Sequence, residues 1–236
     1  RTQRLSLGEP RSFTVSPDGS RVIFIRSHSG SDAVNTLWSL DTATGVEREL
    51  LDPRTLNADL SELTAAELRQ RERAREGASG VTNYACNRDV TRAVTVLGGS
   101  IVLIDLLSGD ATMPSIESGV FDVRLSPDGS IISYLRGASL CVASLTGDER
   151  VIASESNNAV SWGNAEFIAA EEMGRFRGYW WSPDSQSIAA CRVDVSTINV
   201  WYIADPARPE LPATEHRYPA AGTPNASVSL HIISVA

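Results

Sequence analysis

The stretch "VSPDGSRVIFI" at residues 15–25 recurs as "LSPDGSIISYL" at 125–135 and "WSPDSQSIAAC" at 181–191, with a weaker copy, "CNRDVTRAVTV", at 86–96. Each copy has the same physics. An apolar strand runs into a tight turn, where proline presets φ and the Asp-Gly step tolerates the turn geometry. An alternating strand then runs back, so each copy reads as a β-hairpin. A further strand ending in a turn follows, as in "TLWSLDTATG", "SIVLIDLLSGD" and "SLCVASLTGD", and then a short last strand such as "VERELL" or "RVIAS". Four strands per unit is the blade of a β-propeller. The fold expected is therefore all-β: about four four-stranded antiparallel blades of a propeller. The approximate blades are 11–52, 81–116, 119–154 and 157–205, with the next starting about residue 226.

The spacing of the copies shows where the chain departs from a bare blade. Ser16, Asn87, Ser126 and Ser182 stand 71, 39 and 56 residues apart, whereas a plain blade takes about 40–45. The first surplus falls around "LNADLSELTAAELRQRERAREGAS" and the third around "NAEFIAAEEMGRFRG". Insertions into blades emerge as loops on a rim, where binding residues concentrate.

The first insertion reads as a helix over about 64–76. Thr64 and Glu67 form a capping box, and Gly77 is a stop after Glu76. Its interior has almost no apolar face beyond Leu68, so it is no core helix. It is either a solvated arginine–glutamate helix with i,i+4 pairs or a lid whose arginines look toward a cavity.

The second insertion holds Glu171 and Glu172 side by side, after the apolar run Phe167-Ile168-Ala169-Ala170 and before Trp180-Trp181. In a regular strand, neighbouring residues point to opposite faces, and one glutamate would be forced inward. Adjacent carboxylates repel, and burial raises their pKa unless a cation compensates. Two readings stand at this point. The pair forms a local ion network with Arg175 or Arg177, which contributes little, or it converges from a helical turn on an external ammonium with its three donors.

Composition bounds the rest. The chain has 236 residues, 42% hydrophobic and 21% charged, an ordinary globular composition. Its net charge of −8 argues against a nucleic-acid surface. All 21 basic residues are arginine, which fits a GC-rich codon bias and carries no mechanism. Cys86, Cys141 and Cys191 lie in separate strand-like runs and read as buried free thiols, not a disulfide framework. That fits a reducing compartment, with the cytoplasm slightly favoured. No apolar stretch reaches the ~18–20 residues that cross a bilayer, so no membrane partner is expected. No cofactor or metal is expected. The start at Arg1 and the end inside "VSLHIISVA" read as those of a portion of something longer.

The run "AEEMGRFRGYWWSPDSQSIAACRVD" (170–194) closely resembles the glutamate-pair segment of the dipeptidyl peptidase IV family, serine exopeptidases of the prolyl oligopeptidase clan. "EHRYPAAGTPNASVSLHII" (215–233) is similar to that family's tyrosine-proline-alanine-glycine segment, and "LTAAELRQRERAREGASGVTNY" (63–84) to the helical insertion of its bacterial members. Glu-Glu followed by Trp-Trp-Ser-Pro is the specific element, since SPDG repeats occur in many propellers. The resemblance implies an eight-bladed propeller covering an α/β-hydrolase domain with a serine, an aspartate and a histidine. It implies that Glu171 and Glu172 bind the free amino terminus of a peptide substrate, and that a propeller arginine holds a substrate carbonyl, for which Arg75 is the candidate. Family members commonly form dimers. No G-x-S-x-G nucleophile elbow occurs in the chain, and His28, His216 and His231 have no nucleophile pattern beside them. The hydrolase domain is therefore expected beyond Ala236, and the chain alone should be inactive. The alternatives are a non-enzymatic propeller for protein interaction, or the propeller of an acylaminoacyl peptidase or prolyl endopeptidase, which needs no ammonium site.

Overall fold

The structure, a computed structural model, describes residues 7–56 and 78–235. The expected helix at 64–76, with Thr64, Glu67 and Arg75, lies outside the described residues.

Among the described residues four largely antiparallel sheets each carry one of the repeated turns between the first strand and the strand that follows it in the sheet. The first contains β1 (Arg11–Val15), β2 (Arg21–Ser27), β3 (Val34–Asp41) and β4 (Glu47–Leu51) in sequence order, with the short β5 (Ser79–Gly80) parallel to the start of β3. The second is β6 (Ala85–Cys86), β7 (Arg92–Leu97), β8 (Ser100–Asp105) and β9 (Ala111–Thr112). The third is β10 (Val120–Leu125), β11 (Ile131–Arg136), β12 (Ser139–Ser144) and β13 (Glu149–Ala153). These are the meander sheets of propeller blades, as the repeat predicts.

The turn sequences build the hairpins directly. Asp18, Asp128 and Asp184 each accept a hydrogen bond from the serine two residues earlier, at 2.6, 2.5 and 2.5 Å. In the weak copy Asn87 does this work, its Oδ1 accepting from the backbone N–H of Thr91 and Arg92. One left-handed residue is required in each turn. Gly19 and Gly129 fill it without strain, while Val90 and Ser185 hold φ of 53° and 64° there.

The core is sandwiched between neighbouring sheets. Ala93 packs toward the first sheet with Ile23, Ile25 and Leu37, while the next residue, Val94, packs toward the third with Ile132 and Tyr134. Strand alternation thus gives each middle sheet two buried faces. A third cluster joins Leu135, Leu140 and Val142 of the third sheet to Tyr179, Ile188 and Ala190 of the fourth.

That fourth sheet corrects the expected blade boundaries. Its first strand is in two pieces, β14 (Val160–Trp162) and β15 (Tyr179–Trp181), both paired with one side of β16 (Ser187–Asp194). The other side of β16 pairs along its whole length with the strand Ser227–Ser234. That strand was expected to open the next blade; it instead belongs to this one. Val200–Ile203, expected inside the fourth blade, is β17 and pairs with β18 (Thr214–Arg217) in a separate hairpin. The strand Ser227–Ser234 is therefore β19. Among the described residues the fourth sheet has three strand positions, not four.

Candidate functional site

The first strands of the sheets gather into one inner rim. The Tyr84 hydroxyl, just before β6, donates to the Ser12 carbonyl of β1 at 2.6 Å. Arg88 N–H donates to Pro127 O at 2.9 Å, the Arg88 guanidinium reaches Pro183 O, and Asp128 N–H donates to Ser185 Oγ at 3.1 Å. The turns that follow β6, β10 and β15 are thus tied to one another. The glutamate insertion, residues 163–178, leaves from this rim, because it interrupts a first strand.

Its neck is closed by two glycines. Gly163 N–H donates to Cys191 O and Cys191 N–H donates to Gly178 O, each at 2.8 Å, so one residue of β16 holds both arms. A Cβ on Gly178 would lie 2.3 Å from Gly163 O and 2.4 Å from the carbonyl carbon and oxygen of Asn164. No side chain fits between the arms. This is how the chain loops out of the strand and re-enters it almost in line.

Inside the insertion, α1 (Phe167–Glu171) carries the acid pair at its end. Its cap is Glu166, whose carboxylate accepts from Ile168 and Ala169 N–H at 2.6 and 2.8 Å, a favourable charge at a helix N-terminus. Ala169 and Ala170 are buried beneath the helix, and Phe167 meets the Tyr218 ring edge-on at 5.3 Å. Tyr218 in turn meets Trp201 of β17 at 6.2 Å, so the hairpin and the segment after it brace α1.

Glu171 closes α1, and Glu172 caps it with φ −98° and ψ −31°. Adjacent helical residues are about 100° apart, not opposed, and both glutamates are exposed. The backbone thereby removes the conflict that a strand would have imposed. Their position is unfavourable for the isolated helix, because its C-terminal carbonyls repel anions. Neither arginine of the local-network reading is bonded to Glu172. Arg175 donates to Arg177 O at 2.7 Å and stands 3.9 Å from Glu166, while Arg177 donates from Nε to Tyr179 O at 2.7 Å. Among the described residues no side chain pairs with the Glu172 carboxylate.

Below the insertion lies a group that sequence reasoning did not single out. Asp122, in a bulge of β10 at φ 47°, is buried and accepts from Arg124 Nη2 at 2.6 Å. Its carbonyl accepts from the fully buried Tyr179 hydroxyl at 2.5 Å. Burial pushes the Asp122 carboxyl and the Tyr179 phenol up, and burial followed by the charge of Arg124 pushes the Arg177 guanidinium down. Only the Phe121-Asp122 step, polar within an apolar strand, marks this in the sequence. A separate cluster of His28, Glu49 and Asp52 is geometrically compact. Arg54 already reaches into it, at 2.9 Å from Asp52 and 2.7 Å from the His28 ring, and also pairs with Asp32 at 3.1 Å.

Blades stacked round a common rim, with an acid-bearing loop let into a first strand, define the class: part of a β-propeller with an insertion that carries two exposed glutamates. The profile described as "Dipeptidyl peptidase IV (DPP IV) N-terminal region" matches residues 96–236, and the chain belongs to that family. Human dipeptidyl peptidase 8 is 23% identical over an alignment covering 93% of this chain and 29% of that protein. The mouse dipeptidyl peptidase 8 is 24% identical with the same coverage. In fold, the chain matches the crystal structure of Porphyromonas gingivalis dipeptidyl peptidase 4 with a TM-score of 0.69 and 18% identity, over 95% of this chain and 31% of that one. The chain spans less than a third of the relatives it matches.

Proposed function

We propose that this chain is the propeller portion of a serine exopeptidase that releases Xaa-Pro or Xaa-Ala dipeptides, and that Glu171 and Glu172 bind the substrate's terminal ammonium. The observation that carries this reading is the pair itself, exposed at the end of α1 on the inner rim, with Glu172 lacking a protein partner among the described residues. Two carboxylates set beside helix carbonyls are poorly placed for stability, and an incoming cation offsets that repulsion. The α-amino group of a peptide has a pKa of about 7.7–8.0 and is largely protonated at neutral pH. An interior amide has no charge to offer. Fixed at one distance from a nucleophile, the pair measures two residues from the start of the substrate.

In this reading the serine, aspartate and histidine belong to an α/β-hydrolase domain outside these residues, and the chain alone has no peptidase activity. Arg75 is the arginine that holds a substrate carbonyl. A non-enzymatic propeller would lack a downstream G-x-S-x-G segment, and an endopeptidase would not need the ammonium site. The experiment is kinetic, in the full-length protein. Replacing either glutamate by Gln removes a charge-assisted bond worth roughly 1.5–3 kcal/mol, so kcat/KM on a free-amine Xaa-Pro substrate falls at least about tenfold. An N-acetylated substrate is poor for wild type and variants alike. Wild-type efficiency in both variants would leave the pair as a surface feature and remove the reading.

A further inference from the structure

A cleft of about 430 Å³ opens where the turns after β6, β10 and β15 meet, lined by Arg88, Arg124, Arg177, Trp181, Pro127 and Pro183 among others. Three arginines line it, and no carboxylate is among its described lining residues. Asp122, bonded through Oδ1 to Arg124, keeps Oδ2 without a partner among the described residues. Hydrogen-bond donors remain unused around the cleft. Arg124 Nε is buried without a partner, and Arg177 spends only its Nε, on Tyr179 O, leaving both Nη groups without a partner among the described residues. The described lining itself thus carries three arginines and no acid, in a chain whose net charge is −8.

We infer that this cleft is an anion site for a compact oxyanion of the carboxylate or phosphate class, held by the free donors of Arg177 and by Arg124 and Arg88. The guanidinium fork matches two oxygens of either group and forms short charge-assisted bonds. Trp181 and the two prolines form apolar walls, and Arg177 lies over the Trp180 ring at 5.6 Å. The volume exceeds that of a bare phosphate and leaves room for the residue that bears a carboxylate. An anion there relieves the charge crowding between Arg124 and Arg177.

The test is titration calorimetry on the full-length protein with three probes: inorganic phosphate, N-acetyl-trialanine with a free C-terminal carboxylate, and the same peptide amidated. N-acetylation removes the ammonium, so the result is independent of Glu171 and Glu172. Saturable binding of phosphate or of the free-acid peptide, with none by the amide, is expected, and whichever binds tighter identifies the source of the oxyanion. Arg177→Gln weakens that binding by at least about tenfold and Arg177→Lys restores part of it. Arg88→Gln, at an exposed position, provides a second variant that leaves the buried Asp122–Arg124 pair intact. No saturable binding at millimolar concentrations, binding of the amide equal to the acid, or unchanged affinity in both Gln variants overturns the inference.

Discussion

Replacing Gly178 by Ala tests the neck on which the acid pair depends. The added Cβ would meet Gly163 O at 2.3 Å and Asn164 carbonyl atoms at 2.4 Å, all of them backbone. Ordinary contact needs about 1 Å more, and no flexible side-chain end is available to yield it. The arms must separate against the two 2.8 Å hydrogen bonds to Cys191. Overpacking of this kind costs about 1–3 kcal/mol, and loss of one backbone bond adds about 1 kcal/mol. In the proposed enzyme a shift of about 1 Å at the ammonium site lowers kcat/KM by about a hundredfold. Gly174→Ala is the matched control: it lies in the same insertion at φ 62° but has open space around its Cβ. It carries only left-handed strain, about 1–2 kcal/mol, without opening the neck. The assay pairs thermal unfolding with kcat/KM on a free-amine dipeptidyl substrate. Gly178→Ala with wild-type melting and wild-type efficiency, or with no greater loss than Gly174→Ala, refutes the constricted neck.

Tyr179→Phe removes a fully buried hydroxyl that donates to Asp122 O at 2.5 Å; stability should fall by about 1–3 kcal/mol in denaturant titration, and an unchanged midpoint would contradict that role. Glu149 provides a pH test. Its carboxylate is bonded by Arg136 at 2.8 Å and by the Tyr134 hydroxyl at 2.7 Å, and these partners, Arg136 first, hold its pKa below the usual range. A lowered folded pKa contributes stability above the unfolded value of about 4.3 and loses it as pH falls through the folded value. Glu149→Gln should therefore destabilise the protein at neutral pH, with the difference from wild type shrinking below about pH 4. A constant difference across that range would show that Glu149 stabilises by packing alone.

The repeated turns were legible because their chemistry is local: serine, proline, aspartate and a left-handed residue act within five positions. Even the weak copy obeyed, with Asn87 replacing the Ser–Asp pair. Pairing partners of the fourth sheet were not legible in the same way. "NVWYIAD" and "ASVSLHIIS" both read as strands, and nothing local decides which one lies beside β16. The adjacent strand proved to be the later one, with the earlier folded into a hairpin of its own. The glutamate pair stood out because two acids followed an apolar run, and a short helix there keeps both exposed. Its supports were hidden. The Gly163–Gly178 approach, the Tyr218 brace and the Asp122 bulge each join positions far apart in the chain or in neighbouring sheets.

The central claim, that Glu171 and Glu172 recognise a terminal ammonium, is tested most directly by one affinity ratio. The dissociation constant of a product-like dipeptide, alanyl-proline, is measured on the full-length protein by calorimetry beside that of its N-acetyl form. With two charge-assisted bonds at stake, of roughly 1.5–3 kcal/mol each, the free amine should bind at least about a hundredfold tighter. That preference should collapse when both glutamates are replaced by Gln. Equal affinity for the two dipeptides, or a preference that survives the double replacement, would contradict the account.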